Sequence, residues 1–398
     1  MRSTSCKEIA REILEKCIAG KSPKDLPHAL IEEPCSAAMF SVLVEGLADR
    51  FEPALCDAYA RLFSQAVAHV SGAEAGQFIS RYEFVRRVRP VTAEPKLVLV
   101  LSRVTLGADV AVTSVLLDAV KRRFPKARIA FAGPRKNYEL FAGDKRVEHA
   151  RVDYPRGSLR QRLAAAEQLH ALASDADCLV VDPDSRLTQL GLVPVCPEER
   201  YRFFESRAYG ADTGQSLPDL AARWAQETFG VEGAKPHIAL AEPIKSQPGI
   251  AISLGVGENP AKRIPDPFEE RLIALLAVRG LPVWIDKGAG GAEAERVAQA
   301  VARSGVKANF WEGSFAGFAA IIAGSSLYVG YDSAGQHVAA ACGIPMINIF
   351  AGSPAPRMFE RWRPVGPRCN VIRVDDPEPQ KTLAQVQAAL DSISTASN

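Results

Sequence analysis

The stretch Tyr331–Phe350, YDSAGQHVAAACGIPMINIF, decides how the rest of the chain is organised. The run SSLYVGYD before it is apolar and ends in an acid, and Pro345–Phe350 begins the next extended run. Between them, Asp332 and Ser333 are good N-cap residues, so a helix is expected to begin there. The stretch therefore predicts a strand, a turn, a helix, a second turn and a strand.

The start of this predicted helix is chemically suited to an anion. Unpaired N–H groups and a partial positive charge stabilise an anion there by about 0.3–1 kcal/mol, and by up to ~2 kcal/mol when partly buried. The small Ala334 and Gly335 let another group approach the backbone closely. The pattern predicts a phosphate site, while a plain strand–helix unit with a surface histidine, His337, is the alternative that this stretch leaves open.

The same residues resemble the donor-site motif of glycosyltransferase family nine, the ADP-heptose:lipopolysaccharide heptosyltransferases. The matching residues are Asp332, Ser333, His337, Gly343, Pro345 and the alanines between them. Ala334 stands where that family usually has glycine. The resemblance implies that a nucleotide-sugar donor contacts Asp332, Ser333, Ala334, Gly335 and His337.

Length and composition set broad limits on the kind of protein. The 398 residues suffice for two domains and an extension, and 47% hydrophobic with 24% charged residues is typical of a soluble globular chain. No apolar run approaches the ~18 residues of a membrane span, and charged residues occupy the N-terminus where a signal peptide is apolar. We expect a cytoplasmic protein, with peripheral contact to the inner membrane left open.

Cysteine, histidine and charge patterns exclude several classes of site. The eight cysteines form no CxxC pair, and their scatter favours reduced buried thiols over disulfides or zinc. The six histidines form no HExxH motif, so we predict neither a metal site nor a cofactor. A net charge of +2 gives no electrostatic case for nucleic acid as a partner.

Residues 1–92 are predicted to be an all-helical extension. Ser5 and Glu8 form a capping box, and Ser36–Arg50 and Ala54–His69 have apolar residues at helical spacing. Nothing in this part carries chemistry. We expect it to pack on the catalytic body, with a partner protein as the less favoured alternative.

Residues 93–240 are predicted to be a Rossmann-like lobe. The apolar run Lys96–Leu101 predicts a buried parallel strand, and the loop containing Gly107 leads to Asp109 at a helix start before the strand Arg128–Ala132. This βαβ unit would bind ligands at the carboxyl ends of its strands. It also resembles the opening of the same family, which implies an acceptor lobe.

A polar loop, Asp182–Gln189, follows a later predicted strand of this lobe, Cys178–Val181. Its position at a strand end makes it a candidate acceptor loop, and Phe204–Arg207 extends it. Ordinary loop charges are the alternative that the sequence leaves open.

Residues 249–378 repeat the alternation and predict a second Rossmann-like lobe. Its elements in order are the strand Gly249–Leu254, the glycine loop 255–259, Lys262 and Arg263, the helix Phe268–Val278, the strand Leu281–Ile285, the glycine-rich turn 286–291 and Glu293. With the opening stretch, this order looks like the complete donor-binding half of family nine. A helix within residues 379–398 is expected to pack back on the first lobe, by analogy with GT-B transferases.

Two such lobes predict a ligand cleft between them and a sugar transfer from a nucleotide diphosphate. The leaving group gathers negative charge, so Lys262 is the candidate that stabilises it, with Arg263 second. Asp109 is the candidate base that removes the acceptor proton. Gly255, Gly257 and Glu293 are assigned to the nucleotide, and Glu295 competes with Glu293 for the ribose hydroxyls.

The predicted fold class is therefore α/β, with two Rossmann-like lobes of the GT-B type and an N-terminal all-helical extension. The resemblance implies an inverting, metal-independent glycosyltransferase that moves a sugar from an ADP-heptose-like donor to lipopolysaccharide or another bacterial glycan. A glycan or lipid-linked acceptor would be its second partner. A nucleotide-sugar 2-epimerase on the same architecture and a noncatalytic nucleotide- or glycan-binding protein are the alternatives.

Overall fold

The computed structural model describes residues 5–244, 248–257, 259–288 and 290–395. Glu258 and Ala289, which belong to the two predicted glycine-rich turns, lie outside the described residues. The chain divides into two compact units. The first comprises the chain up to Thr105, Val112–Tyr138 and Lys145–Lys235, and the second comprises Leu106–Ala111, Glu139–Asp144 and the chain from Pro236.

The N-terminal part of the first unit is helical, as predicted. Its helices are α1 (Cys6–Ile18), α2 (Ser36–Ala38), α3 (Glu45–Ala48), α4 (Pro53–Ser71) and α5 (Ala75–Val85), with a π-helical turn at Met39–Val44 that joins α2 to α3. The Ser5 hydroxyl accepts a hydrogen bond from the Glu8 N–H, and the Glu8 carboxylate accepts one from the Ser5 N–H, so the predicted capping box is confirmed.

The rest of the first lobe alternates strands with helices. The elements are β1 (Leu97–Leu101), α6 (Leu106–Ala108), a π-helical turn (Asp109–Thr113), α7 (Ser114–Arg123), β2 (Arg128–Gly133), α8 (Arg135–Tyr138), β3 (Val147–Arg151), α9 (Leu159–Leu172), β4 (Cys178–Asp182), β5 (Tyr201–Phe203) and α10 (Leu217–Phe229). All strand pairs are parallel in the order β3-β2-β1-β4-β5, and Leu99 of β1 faces Ala130 on one side and Val180 on the other. The strand order reverses between β1 and β4, which makes that edge a topological switch point.

The helical extension shares its core with this lobe. Phe40, Leu43 and Tyr59 of the extension belong to the same buried cluster as Leu99 and Val180 of the sheet. Burial of apolar surface stabilises a folded protein by about 25 cal/mol per Å², so this shared core stabilises the packing of the extension on the lobe. The predicted packing of the extension on the catalytic body is confirmed.

The second unit contains a second parallel sheet, in the order β11-β10-β9-β6-β7-β8. Its elements are β6 (Ile250–Ser253), a 3-10 turn (Pro260–Lys262), α11 (Phe268–Ala277), β7 (Val283–Asp286), α12 (Gly291–Ser304), β8 (Asn309–Trp311), α13 (Phe315–Gly324), β9 (Leu327–Tyr331), α14 (Ala334–Ala341), β10 (Met346–Ala351), α15 (Pro356–Trp362), β11 (Cys369–Val374) and α16 (Pro379–Thr395). The order reverses between β6 and β9, where Ser253 pairs with Gly330. The predicted α/β class with two Rossmann-like lobes is confirmed.

One expectation differs from the structure. Cys6 and Cys35 form a disulfide with 5.1 Å between their Cα atoms, so the expectation of reduced thiols alone was wrong. The segment between α1 and α2 brings the two cysteines together, and the spacing of the cysteines in the sequence did not reveal this pairing. The buried residues Val386 and Leu390 of α16 join the core of the second unit, where the helix contacts α11, β10 and β11.

Within the described ranges, no helix combines the length and the apolar character that crossing a membrane requires.

Candidate functional site

The site residues of the second unit lie in the loops that follow two neighbouring strands. Strands β6 and β9 are adjacent and parallel, so their carboxyl ends meet at one edge of the sheet. The loop after β6 carries Lys262, and the turn after β9 carries Asp332 and Ser333. Because this edge is the switch point, it is where α/β sheets bind ligands.

The ammonium of Lys262 is fixed at the start of α14. Its Nζ lies 2.7 Å from Oδ2 of Asp332 and donates to the backbone oxygen of the same residue at 3.2 Å. Asp332 also accepts a hydrogen bond from the Gln336 amide at 2.5 Å. Asp332 is buried, whereas the Lys262 side chain is 19% exposed, so the lysine is held in place and still meets solvent.

Ser333 occupies the N-cap position of α14 but does not cap the helix with its own hydroxyl. Its backbone is extended, and its Oγ lies 3.4 Å from the Tyr328 hydroxyl. The predicted helix start is present, and its first-turn N–H groups are not satisfied by the N-cap side chain. An anion beside Lys262 would meet both the ammonium and these N–H groups.

The small residues at this helix start are required by protein packing. A Cβ on Gly335 would clash with the ring of Tyr328. A Cβ on Gly107 would lie 3.1 Å from the Cα of Ala334 and 3.1 Å from Cδ2 of His337. Helix α6 therefore packs directly on the start of α14 within the second unit.

Asp109 lies two residues beyond Gly107 and belongs to the same compact unit as Lys262 and Ser333. Its side chain is fully buried. The sequence indicated Asp109 as the candidate base at a helix start and made no prediction of its burial.

Arg263 makes two ion pairs with neighbouring carboxylates. Its guanidinium contacts Asp266, and its Nε lies 3.2 Å from Oε1 of Glu269. The same buried Glu269 also contacts Arg296 and the Tyr331 hydroxyl, the latter at 3.2 Å. The structure thus brings Arg263 into a network that supports the loop after β6, and it directs Lys262 alone to the helix start.

Glu293 supports the glycine loop. Its Oε2 accepts hydrogen bonds from the N–H groups of Val256 at 2.9 Å and Gly257 at 3.2 Å. Gly257 has a φ of 56°, a left-handed conformation that favours glycine, and a Cβ on Gly255 would lie 3.0 Å from Oε1 of Glu293. Glu295 is exposed and is not part of these contacts, so the geometry favours Glu293 over Glu295 as the candidate for the ribose hydroxyls.

His337 is buried and not a surface histidine. Its pKa is lowered to about 4, mainly by burial; Asp332 opposes this shift, and the positive charge of Lys262 adds to it. The imidazole is therefore neutral near pH 7 and would meet a diphosphate as a hydrogen-bonding group without charge. Its ring lies 5.8 Å from that of Trp362.

Three site residues were not predicted from the sequence: Gly352, Gln336 and Glu269. Gly352 has a φ of 67°. A Cβ at this position would lie 2.8 Å from the backbone nitrogen of Lys262 and would overlap the backbone of Ala261. Its loop therefore packs against the segment that carries Lys262. A glycine directly after a buried parallel strand was the signal available for it, whereas Gln336 and Glu269 had none.

The candidate acceptor loop of the first unit contains buried charged residues. Asp184 and Arg207 form an ion pair at 3.0 Å and are both buried. Asp182 accepts hydrogen bonds from the Ser185 N–H at 2.6 Å and the Thr188 hydroxyl at 2.5 Å, and burial raises its pKa to about 6. These residues are not the ordinary solvated loop charges that were the alternative.

The two parallel Rossmann-like sheets give the chain the two-lobed α/β fold of the GT-B type. Residues 198–391 match the family model described as Glycosyltransferase family 9 (heptosyltransferase). The resemblance noted in the sequence is confirmed.

Solved structures of this family have the same fold. E. coli heptosyltransferase WaaC with ADP has a TM-score of 0.54 at 16% identity, covering 74% of this chain and 99% of that one. A family 9 glycosyltransferase from Veillonella parvula has a TM-score of 0.56 at 15% identity, covering 75% and 90%. E. coli ADP-heptose lps heptosyltransferase II has a TM-score of 0.53 at 18% identity, and the match covers 75% of this chain and 99% of that one. No curated protein matches the chain.

Proposed function

We propose that this enzyme transfers a sugar from an ADP-heptose-like donor to lipopolysaccharide or another bacterial glycan, with inversion and without a metal ion. The observation that carries the proposal is the position of the Lys262 ammonium, 2.7 Å from Asp332 at the start of α14. The match to the family 9 model supports the reaction class, and the neighbours solved with ADP and with an ADP-heptose analogue support the donor class. A nucleotide-sugar donor favours a cytoplasmic reaction, with peripheral contact to the inner membrane.

In this proposal the donor diphosphate binds at the start of α14. As the glycosidic bond to the sugar breaks, negative charge builds on the departing ADP, and Lys262 with the first-turn N–H groups neutralises it. These interactions strengthen as the charge grows, so they lower the barrier more than they stabilise the bound donor. A fixed ammonium supplies this charge stabilisation from the protein itself.

Asp109 is the proposed base. It would accept the proton of the acceptor hydroxyl while that oxygen forms the new bond to the anomeric carbon on the face opposite to the leaving ADP. Because the carboxylate is buried, it would be shielded from bulk water during the transfer.

The remaining assigned residues serve the nucleotide. Gly255 and Gly257 form the loop that would face the ADP, and Glu293, which now accepts two loop N–H groups, would exchange one of them for the ribose hydroxyls. Residues 93–240 would then act as the acceptor lobe and 249–378 as the donor lobe. The extension 1–92 and the segment 379–398 would be structural additions to them.

The direct test uses ADP-heptose with lipopolysaccharide purified from a heptose-deficient strain. We expect acceptor-dependent release of ADP and an acceptor mass increased by one heptose. The one-bond carbon–hydrogen coupling constant, measured by NMR at the anomeric carbon, should show that its configuration is inverted relative to the donor. EDTA should leave the rate unchanged. Retention of configuration or loss of activity in EDTA would contradict the mechanism, and ADP binding without release in any acceptor screen would favour a noncatalytic binder.

A further inference from the structure

The loops at the carboxyl ends of β1 and β4 adopt strained backbone conformations. Four residues that are not glycine have positive φ there, namely Val104 at 69°, Asp184 at 73°, Gln189 at 51° and Leu190 at 57°. Such conformations cost free energy and persist where surrounding groups hold them. They lie at the switch point of the first sheet, where ligands bind in this class of fold.

Helices α4 and α5 of the extension hold the loop after β4 by its backbone. The hydroxyl of Tyr59 donates to the carbonyl oxygen of Gln189 at 2.8 Å, and Arg81 donates to the carbonyl oxygen of Gly191 at 2.7 Å. Both side chains are buried. The left-handed turn at residues 189–190 is therefore fixed by the extension.

Helix α5 and its C-cap residue Arg86 hold a second loop, which follows β5, by its side chains. The Tyr82 hydroxyl donates to the carboxylate of Glu205, which also accepts from Nε of Arg86 at 2.9 Å. Arg207 donates to the Tyr82 hydroxyl at 3.3 Å and pairs with Asp184 at 3.0 Å. One tyrosine hydroxyl thus links both loops to α5.

We propose that α4 and α5 are clamp helices that set the geometry of residues 184–191 and 205–207, the clamped loops, for acceptor binding. The proposal rests on the proposed function, which assigns these loops to the acceptor. Packing alone would need only the apolar core that the extension already shares with the lobe. Buried ions and polar groups are a weak source of stability and a good source of one defined conformation. Tyr59 and Tyr82 are accordingly positioning residues.

Tyr59→Phe and Tyr82→Phe test the clamp because each removes one hydroxyl and keeps the ring. Tyr138→Phe is the matched control, since its hydroxyl donates to the Val147 carbonyl oxygen at 3.2 Å, away from the clamped loops. We expect hydrogen exchange of peptides covering 184–191 and 205–207 to accelerate by at least about threefold in the clamp variants only. Unchanged exchange in both clamp variants would overturn the proposal.

The kinetic test uses the same ADP-heptose and heptose-deficient lipopolysaccharide. The clamp variants should raise the KM for the acceptor by roughly three- to tenfold, with the KM for ADP-heptose and the affinity for ADP unchanged. Faster exchange with an unchanged acceptor KM would overturn the acceptor role. A wild-type enzyme that binds ADP yet transfers nothing would contradict the proposed function and with it that role, whereas the exchange data decide the clamping by themselves.

Discussion

The Lys262 ammonium lies 2.7 Å from the Asp332 carboxylate, although the two residues are 70 positions apart in the chain. They meet because β6 and β9 are neighbours in the second sheet, so the loops at their carboxyl ends share one edge. The carboxylate keeps the ammonium in place at the helix start without a ligand. The proposed donor site is therefore largely preorganised by the groups that hold this lysine.

Glu269→Gln should destabilise the second unit. The buried carboxylate is shared by Arg263, Arg296 and the Tyr331 hydroxyl, and its neutralisation removes the buried negative charge that faces both guanidinium groups, although Arg263 keeps its pair with Asp266. The expected loss in free energy of unfolding is roughly 3–5 kcal/mol, measured by urea denaturation. Glu312→Gln, at an exposed pair with Lys287, should cost no more than about 1 kcal/mol. Equal losses would contradict the network.

Gly352→Ala should weaken ADP binding as well as the fold. Gly352 and Gly305 have nearly the same φ, 67° and 68°, so alanine costs about 1–2 kcal/mol of backbone strain at either position. Only at Gly352 would the new Cβ press on the backbone of Ala261 and Lys262, because Gly305 faces open space. Calorimetric titration should show weaker ADP binding in Gly352→Ala alone. Identical ADP affinities in the two variants would show that this close approach does not matter.

Acid should destabilise the protein through His337. Its pKa is about 4 in the folded state and about 6.5 in the unfolded chain, so the unfolded state binds the proton first. The stability that the neutral imidazole contributes is complete above pH 6.5 and is lost as pH falls from 6.5 towards 4, by up to about 3 kcal/mol. Urea titrations across this range should show a shallower pH dependence in His337→Gln than in the wild type.

His69→Gln is the control for that experiment. His69 is partly exposed beside Glu32 on the first unit, so its removal should leave the acid-induced loss of stability in place. A wild-type slope in His337→Gln would contradict the assignment of the loss to the buried imidazole.

Asp109→Asn should reduce turnover and spare the donor. An amide cannot accept the acceptor proton, so kcat should fall by about 10²–10⁴ while the affinity for ADP stays the same. Because the side chain is buried, the thermal unfolding midpoint of the variant must be measured as well and must match that of the wild type. Asp118→Asn, on α7, is the control and should retain wild-type kcat. If turnover survives in Asp109→Asn, another group is the base.

The sequence predicts those parts of the structure that depend on neighbours in the chain. The capping box at Ser5, the buried strand after Lys96 and the helix after Ser333 each follow from short-range patterns, and the structure has all three. The family motif added the pairing of Lys262 with the start of α14 as one site. The capping box, the strand and the helix need no knowledge of which strands lie side by side.

The remaining features depend on contacts between distant segments. Arg263 and Lys262 are adjacent in the sequence and both are cationic. In the structure, however, Arg263 forms an ion pair with buried Glu269, and Lys262 forms one with Asp332. The burial of Asp109, the Cys6–Cys35 disulfide and the polar contacts of Tyr82 likewise arise only when helices pack. Local patterns carry no information on those partners.

The most direct test of the account is the binding of ADP to the wild type, to Lys262→Met and to Lys96→Met. Lys96 forms an exposed pair with Asp177 at 2.6 Å on the first unit and is the matched control. One charge-assisted contact is worth about 1.5–3 kcal/mol, so calorimetry should show ADP bound roughly 10–100-fold more weakly by Lys262→Met and normally by Lys96→Met. No binding of ADP by the wild type, or equal affinities in all three proteins, would contradict the donor site.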